Sequence, residues 1–137
     1  MRLRDAALTV PIAALALAGC GGQGEDSAGD FRGAEQQVAE AIEELQDAGR
    51  RGDPERICGE LVTPDLARAI AAGGASCEDE AQTAMRDVSA FELEVDDVTI
   101  SGATATAQVR GAEDDQRATF ELARDGEGWR VSGVEAG

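Results

Sequence analysis

The chain of 137 residues contains no histidine, lysine or tyrosine, and its aromatic side chains are three Phe and one Trp. Without histidine, the Ser-His and Cys-His pairs that activate a nucleophile cannot form. No glycine-rich phosphate loop and no internal repeat is present either. The composition therefore excludes the best-known nucleophilic enzymes and the nucleotide-binding P-loop proteins.

The positive charges are also few. All 12 basic residues are Arg, against 28 acidic residues, which gives a formal net charge of −16. Such an acidic surface repels phosphate backbones and anionic lipid heads, so we expect neither nucleic-acid binding nor polybasic membrane attachment. A charge of this size also keeps an exported protein soluble. Abundant Ala, Gly and Arg without Lys is typical of a GC-rich, actinobacterial-type genome.

The first twenty residues have the organisation of an export signal. Arg2 and Arg4 precede an apolar run over residues 6–18, interrupted by Thr9 and Pro11. As a helix this run measures about 20 Å, which is short for a bilayer core of about 30 Å but suits a signal peptide. An ordinary secretory signal and a buried helix of a cytosolic protein are the alternatives.

Leu17-Ala18-Gly19-Cys20 resembles the lipobox of bacterial lipoproteins. The resemblance implies that residues 1–19 are a signal peptide, cleaved after Cys20 receives a thioether-linked diacylglycerol. Cys20 would then hold the protein at the extracytoplasmic face of the cell membrane, because two palmitate-type acyl chains bind a bilayer firmly. After cleavage, 10 basic and 27 acidic residues remain, a balance of −17.

Residues 20–33 are predicted to be a flexible acidic tether. Residues 21–30 contain four glycines and three acids, too little apolar surface to build a core. As a coil, this stretch spans about 17–19 Å on average. The folded domain is therefore expected to comprise residues 34–137.

Four helices are predicted at the start of this domain. The longest begins at Ala34, has apolar side chains at spacings of three and four, and is expected to end at Gly49. Asp53-Pro54 and Thr63-Pro64 each combine an N-cap with proline at the first helical position, so each predicts a short helix. Ser76 caps a fourth helix.

From Phe91 the apolar period changes from 3.6 to 2. The apolar phase slips by one residue near Asp96-Asp97, which predicts a β-bulge in the first strand. Three further strands are predicted over residues 103–110, 116–124 and 128–134. Helices followed by an antiparallel meander predict an α+β domain, in which the helices pack on one face of a four-stranded sheet.

Three segments accompany this order of helices and strands: Gly49-Arg50-Arg51-Gly52-Asp53, Cys58-Gly59-Glu60-Leu61-Val62-Thr63-Pro64 with Ser76-Cys77-Glu78, and Gly126-Glu127-Gly128-Trp129-Arg130-Val131. Together they resemble the NTF2-like superfamily of α+β cone domains, which includes SnoaL-like members. The resemblance covers residues 34–134 and implies a curved sheet that encloses a pocket, with homodimers by analogy. Without Tyr or His, the acid–base residues of enzymes in this superfamily have no matching positions.

A cystatin-like domain, with one long helix on a meander, is the alternative topology. Gln108-Val109-Arg110-Gly111 is similar to the inhibitory loop of cystatins but lacks one residue of its spacing. No inhibitor function is therefore inferred from it.

If Cys20 is lipidated, Cys58 and Cys77 remain, and an exported pair is most simply a disulfide. The bond would close a loop of about 20 residues and contribute about 3 kcal/mol in the chain-entropy model. A redox pair usually has the Cys-x-x-Cys spacing, and zinc needs four ligands, so these alternatives fit the sequence less well.

The remaining candidate groups are acidic. Asp96 and Asp97 lie at the predicted bulge, where a lone carboxylate could serve as a general base, although such pairs are more often solvated. Glu78-Asp79-Glu80 complements the dipole of a first helical turn and lacks the alternating ligands of a calcium loop. Arg51-Gly52-Asp53 spells an adhesion tripeptide, but its place between helices favours a capped turn.

The sequence favours a non-catalytic, membrane-tethered NTF2-like module that binds a small apolar ligand or an envelope protein, without a cofactor, a metal or catalytic residues. The alternatives are an enzyme with one buried carboxylate as base and a purely structural domain. Pocket contents separate them: a deep cavity with a desolvated carboxylate favours an enzyme, and filling of the pocket favours a binding or structural role. The predicted pocket residues are Met85, Phe91, Phe120 and Trp129.

The lipoprotein prediction can be tested by the intact mass of the protein purified from its own membranes. We expect the chain to begin at Cys20, to carry a diacylglyceryl group, and to be two mass units lighter than the dithiol because Cys58 and Cys77 are joined. A chain that still begins at Met1 with three free thiols would contradict the prediction.

Overall fold

The computed structural model describes residues 27–87, 91–112, 116–126 and 128–137. The predicted signal peptide and Cys20 lie outside these residues.

The described chain is α+β, as predicted. A 3₁₀ turn at Ser27–Asp30 precedes the helices α1 (Ala34–Arg51), α2 (Pro54–Arg56), α3 (Pro64–Ala71) and α4 (Cys77–Met85), and α2 continues as a π-helical turn at Ile57–Leu61. The strands are β1 (Glu94–Ser101), β2 (Thr104–Arg110), β3 (Arg117–Asp125) and β4 (Gly128–Ala136). They form one antiparallel sheet in the order β1-β2-β3-β4.

The three predicted N-caps are confirmed. Asp53 Oδ1 accepts a hydrogen bond from the amide of Arg56 at 3.1 Å. Thr63 Oγ1 accepts one from Leu66, and Ser76 Oγ accepts one from Asp79. Each side chain satisfies an amide that the first helical turn leaves without a partner, so each helix begins where its cap stands.

The predicted end of α1 at Gly49 is wrong. The helix continues to Arg51, and Gly52, at φ +69°, provides the left-handed cap. Gly49 is instead a buried packing position, because a Cβ built on it would overlap the ring of Phe91. The absence of a side chain therefore lets α1 approach the segment that leads into β1.

Two bulges interrupt the sheet. The register between β1 and β2 shifts between Val95 and Asp97, which confirms the predicted slip. A second shift, between Glu121 and Leu122 on β3, gives β4 an extra residue at Ser132. The sheet is nevertheless not strongly curled, so the curvature implied by the family resemblance is present only in part.

The core lies between the helices and one face of the sheet. From α1, Val38, Ala39 and Ile42 are fully buried. They pack with alternate residues of the strands, and the opposite face of each strand is mainly exposed. The buried strand residues are Val95, Val98, Ala105, Ala107, Val109, Phe120, Leu122, Trp129 and Val131.

Within the described chain, packing extends to residues that precede the predicted boundary at Ala34. Ser27 and Ala28, which the sequence analysis placed in the tether, are 6% and 3% exposed. The amide of Val95 donates to Ser27 Oγ at 3.1 Å, and the amide of Ala28 donates to Glu43 Oε1 at 2.7 Å. Hydrogen bonds of this kind produce no apolar periodicity in the sequence, so the composition of the segment does not predict that it is packed.

Within the described ranges, no helix combines the length and the apolar character needed to cross a membrane.

We predict that Gly49→Ala destabilises the domain. The new methyl group must displace the Phe91 ring, which costs about 1–3 kcal/mol, and the better helix propensity of Ala returns only about 1 kcal/mol. A lower midpoint of urea unfolding, followed by far-ultraviolet circular dichroism, is the expected result.

Gly59→Ala is the matched control, because a Cβ on Gly59 has no atom within 4 Å. We expect this variant to be at least as stable as the parent protein. Equal midpoints for the two alanine variants would contradict the packing role of Gly49.

Candidate functional site

The helices leave one corner of the sheet uncovered, at the end where β2 leads to β3 and β4 nears its last residue. A groove of about 240 Å³ lies there. Its apolar wall is formed by Leu93, Val109, Ala118, Phe120 and Val134. Phe120 and Val134 are cross-strand partners, so the two side chains stand on the same face of the sheet. Val134 is 51% exposed and, within the described residues, is the large hydrophobic side chain most open to solvent.

The rim of the groove is polar. Gln116 and Arg117, both exposed, stand where β3 begins, and Gly111 closes the end of β2 with an amide that donates to the Gln116 carbonyl at 2.8 Å. The groove thus has an apolar floor, a polar entrance and an open side. This arrangement suits binding of an apolar group that is presented from solution.

Two buried polar residues position the side of the groove that Leu93 forms. Gln46, 3% exposed on α1, accepts a hydrogen bond from the Leu93 amide through Oε1 at 2.8 Å. Ser27 holds Val95 in the same way, two residues further along the chain. Sequence reasoning missed both residues. The available signal was Gln46 itself, a polar residue between Leu45 and Ala48 on the apolar face of α1.

The four predicted pocket residues are not brought together around this groove. Phe120 lines it and is otherwise buried, at 6% exposure. Phe91 packs against Gly49, and Trp129 lies in the core near the opposite end of β4. Met85, on α4, is half-buried against the same core. Three of the four therefore fill the space between helices and sheet.

The candidate carboxylates at the bulge do not line the groove either. Both oxygens of Asp96 accept hydrogen bonds from Arg110, at 2.9–3.1 Å. The same guanidinium lies 3.0 Å from Glu94. Asp97 is exposed beside Gln108. The Arg110 guanidinium thus links the bulge of β1 to the end of β2.

A second groove, of about 390 Å³, lies beside the β3–β4 turn. Its charged groups are engaged within the protein: Arg130 Nε lies 2.5 Å from Asp125 and its Nη1 donates to the Gly59 carbonyl. Arg124 stacks over the Trp129 ring at 5.3 Å. The Trp129 indole N–H is buried and has no hydrogen-bond partner within the described part of the chain.

Cys58 and Cys77 form the predicted disulfide, with Cα atoms 6.1 Å apart. Cys58 lies in the π-helical turn and Cys77 opens α4, so the bond joins the turn after α2 to the start of α4. Both residues are buried. No cluster of three or more His, Cys, Asp or Glu that could hold a metal occurs in the described residues.

The two remaining motifs have ordinary structural roles. Glu78, Asp79 and Glu80 are exposed in the first turn of α4. Arg51-Gly52-Asp53 forms the end of α1, its left-handed cap and the N-cap of α2. Neither motif presents a binding loop.

Comparison of the chain with models of protein families, with curated proteins and with solved structures finds no match.

We predict that opening the disulfide destabilises the domain by about 3 kcal/mol, because the loop closed between two cysteines 19 positions apart is released in the unfolded chain. Urea unfolding with and without dithiothreitol measures the difference. The double variant Cys58→Ala/Cys77→Ala is the control, and its midpoint should not respond to the reductant. Equal midpoints for the oxidised and reduced parent protein would exclude a stabilising role for the bond.

Proposed function

We propose that the protein is a lipid-anchored, extracytoplasmic binding module of NTF2-like type, which binds an apolar ligand or an apolar segment of an envelope protein and performs no catalysis. The observation that carries this proposal is the open apolar groove at the uncovered corner of the sheet, with Val134 half exposed at its edge. A concave, mainly apolar surface with a few polar groups at its rim is the usual form of a site for a small apolar group.

The filling of the interior supports binding over catalysis. Phe91, Phe120 and Trp129 are each less than 10% exposed and belong to one core cluster. They occupy the space in which a cone-shaped domain would hold a substrate. The groove is therefore superficial, and a superficial groove cannot exclude water from a reaction as an enclosed active site does.

The acidic groups support the same conclusion. No carboxylate among the described residues lines the groove. Of the two acids at the bulge, Asp96 is bound by Arg110 and Asp97 is exposed to solvent. An enzyme that uses a single carboxylate as its base lacks a specific observation in its favour, and a purely structural domain would not need the open groove.

The NTF2-like part of the proposal rests on element order. Helices precede an antiparallel meander, and a bulge interrupts the first strand. The helices also lie on one face of the sheet, as the family resemblance implies. The limited curl of the sheet accounts for a groove in place of an enclosed pocket.

The lipid-anchor part of the proposal rests on the Leu17-Ala18-Gly19-Cys20 segment. Ser27 belongs to the packed domain, and six residues of the sequence stand between it and Cys20. Six residues reach at most about 20–22 Å when fully extended. The domain would therefore stay within about one domain diameter of the lipid surface, and its binding partners would be membrane lipids, membrane proteins or their neighbours.

Filling the groove tests the binding proposal. A ¹⁵N-labelled chain that begins at Gly21 is titrated with 1-octanol, a neutral probe with an apolar tail. We expect saturable shifts of the amide signals of Val109, Ala118 and Val134, because these residues surround the apolar floor. Ala118→Leu should weaken binding about tenfold or more, since the added atoms occupy the groove.

Ala123→Leu is the matched control, because Ala123 lies on the same strand with its side chain on the opposite face. It should leave the octanol affinity unchanged. Shifts spread over the whole domain, or equal affinities for the two leucine variants, would show that the groove is not a binding site.

A further inference from the structure

The edge of the sheet at β4 is only partly covered by the protein's own backbone. Val62 forms a parallel bridge with Val131, and the Thr63 amide donates to the Val131 carbonyl at 2.9 Å. The covering segment then leaves the edge, because Pro64 begins α3. The stretch of β4 from Ser132 to Ala136 continues without a neighbouring strand on that side in the described chain.

The hydrogen-bond pattern shows which backbone groups this edge presents. The Gly137 amide donates to the Arg117 carbonyl, so these two residues form a hydrogen-bonded pair. In an antiparallel ladder such pairs alternate, so Glu135 and Gly133 also bond to β3. The N–H and C=O of Val134 and Ala136 therefore point away from the sheet. Such a row is a template for one more strand.

The same stretch borders the apolar groove. The Val134 side chain stands at the edge of the sheet beside Phe120, and both line the groove. A strand added to β4 would carry every second side chain on the helix-bearing face. One of these side chains would enter the open side of the groove and cover Val134. Edge and groove together therefore fit an extended polypeptide better than an isolated small molecule.

The charge around the edge specifies the partner further. Glu135 lies on β4 itself, the Glu121 carboxylate on β3 lies against Gly133, and Arg117 at the groove rim is a cation near the end of this stretch. The whole chain carries a formal charge of −16. Two copies of it would repel one another, whereas a segment with Arg or Lys beside its apolar residues would be attracted.

The opposite edge, at β1, does not offer a comparable template. Ser27 Oγ already takes up the Val95 amide, so the protein's own chain occupies part of this edge.

We infer that residues 132–136 of β4 bind an extended, basic segment of another protein by strand addition, with an apolar side chain of that segment in the groove. The inference rests on the proposed binding function and names its partner class: a protein that contributes a strand in which apolar residues alternate, flanked by Arg or Lys.

The experiment uses the native lipidated protein in phosphatidylcholine nanodiscs, with empty discs as background. The probe is a fluorescein-labelled peptide that alternates Val and Thr between terminal Arg residues, and fluorescence anisotropy reports its binding. We expect saturable binding. The same peptide with N-methyl groups on alternate residues should bind at least about tenfold more weakly, because it cannot pair with the edge. A version with Glu at both ends should also bind more weakly than the Arg peptide. The difference in affinity between these two peptides should become smaller at high salt.

Val134→Pro is the decisive variant. It removes the outward N–H while leaving the bonds of Glu135 and Gly133 to β3 intact, and proline is tolerated at such edge positions. We expect it to abolish peptide binding. Because Val134 also lines the groove, octanol binding is compared in Ala136→Pro, whose residue does not line the groove and which should preserve it. Ala136→Pro removes the next outward N–H and serves the same purpose if the first variant does not fold. Unchanged peptide affinity in either folded variant would overturn the inference.

The two proposals fail differently. If octanol binds and the peptide does not, strand addition is wrong and the groove remains a site for small apolar ligands. If neither binds, the proposed function is wrong as well. Sedimentation velocity over a range of concentrations provides the last test: a homodimer that Val134→Pro dissociates would show that a second copy occupies the edge, which also overturns the inference.

Discussion

The packing of one face of α1 against the start of the sheet is the constraint on which the rest of the structure depends. Gly49 allows the helix to approach Phe91, and Gln46, three residues earlier, binds the backbone of Leu93. Together they fix where the chain enters β1. Leu93 is also a wall of the groove, so the contact that orders the core sets one side of the candidate site. The buried Gln46 side chain makes this packing more specific, because its hydrogen bond to Leu93 requires one geometry whereas apolar contacts allow many.

The small size of the domain explains why its helical layer is cross-linked. After α1, the helices are short, between three and nine residues, and helices of this length are not stable by themselves. The bond between Cys58 and Cys77 ties the π-helical turn to α4, and the side-chain caps fix the starts of three helices. Because the layer is small, it cannot cover the sheet to its far corner. The groove thus lies where the four-stranded sheet extends beyond the helices that pack on it.

Features that depend on a few neighbouring residues could be predicted from the sequence. Contacts between residues far apart in the chain were harder to predict. Proline with a capping residue located α2 and α3, and the phase slip located the bulge beside Asp96, since both signals lie within a few residues of the feature. The pattern predicts a helix end at Gly49, because the sequence does not distinguish a glycine required for packing from a glycine that ends a helix. The groove could not be predicted, because it depends on which part of the sheet α1 fails to cover. Phe120 is among the predicted pocket residues, but nothing in the sequence around Val134 and Leu93 indicates that they line a groove.

The position of Trp129 has a practical consequence for optical work on this protein. The chain has no tyrosine and no second tryptophan, so its near-ultraviolet emission arises from one indole, buried at the β3–β4 end of the core beneath Arg124. Intrinsic fluorescence will therefore report the state of the core around Trp129. Occupation of the groove at the other end of β4 should leave this emission nearly unchanged, whereas loosening of the core should alter it.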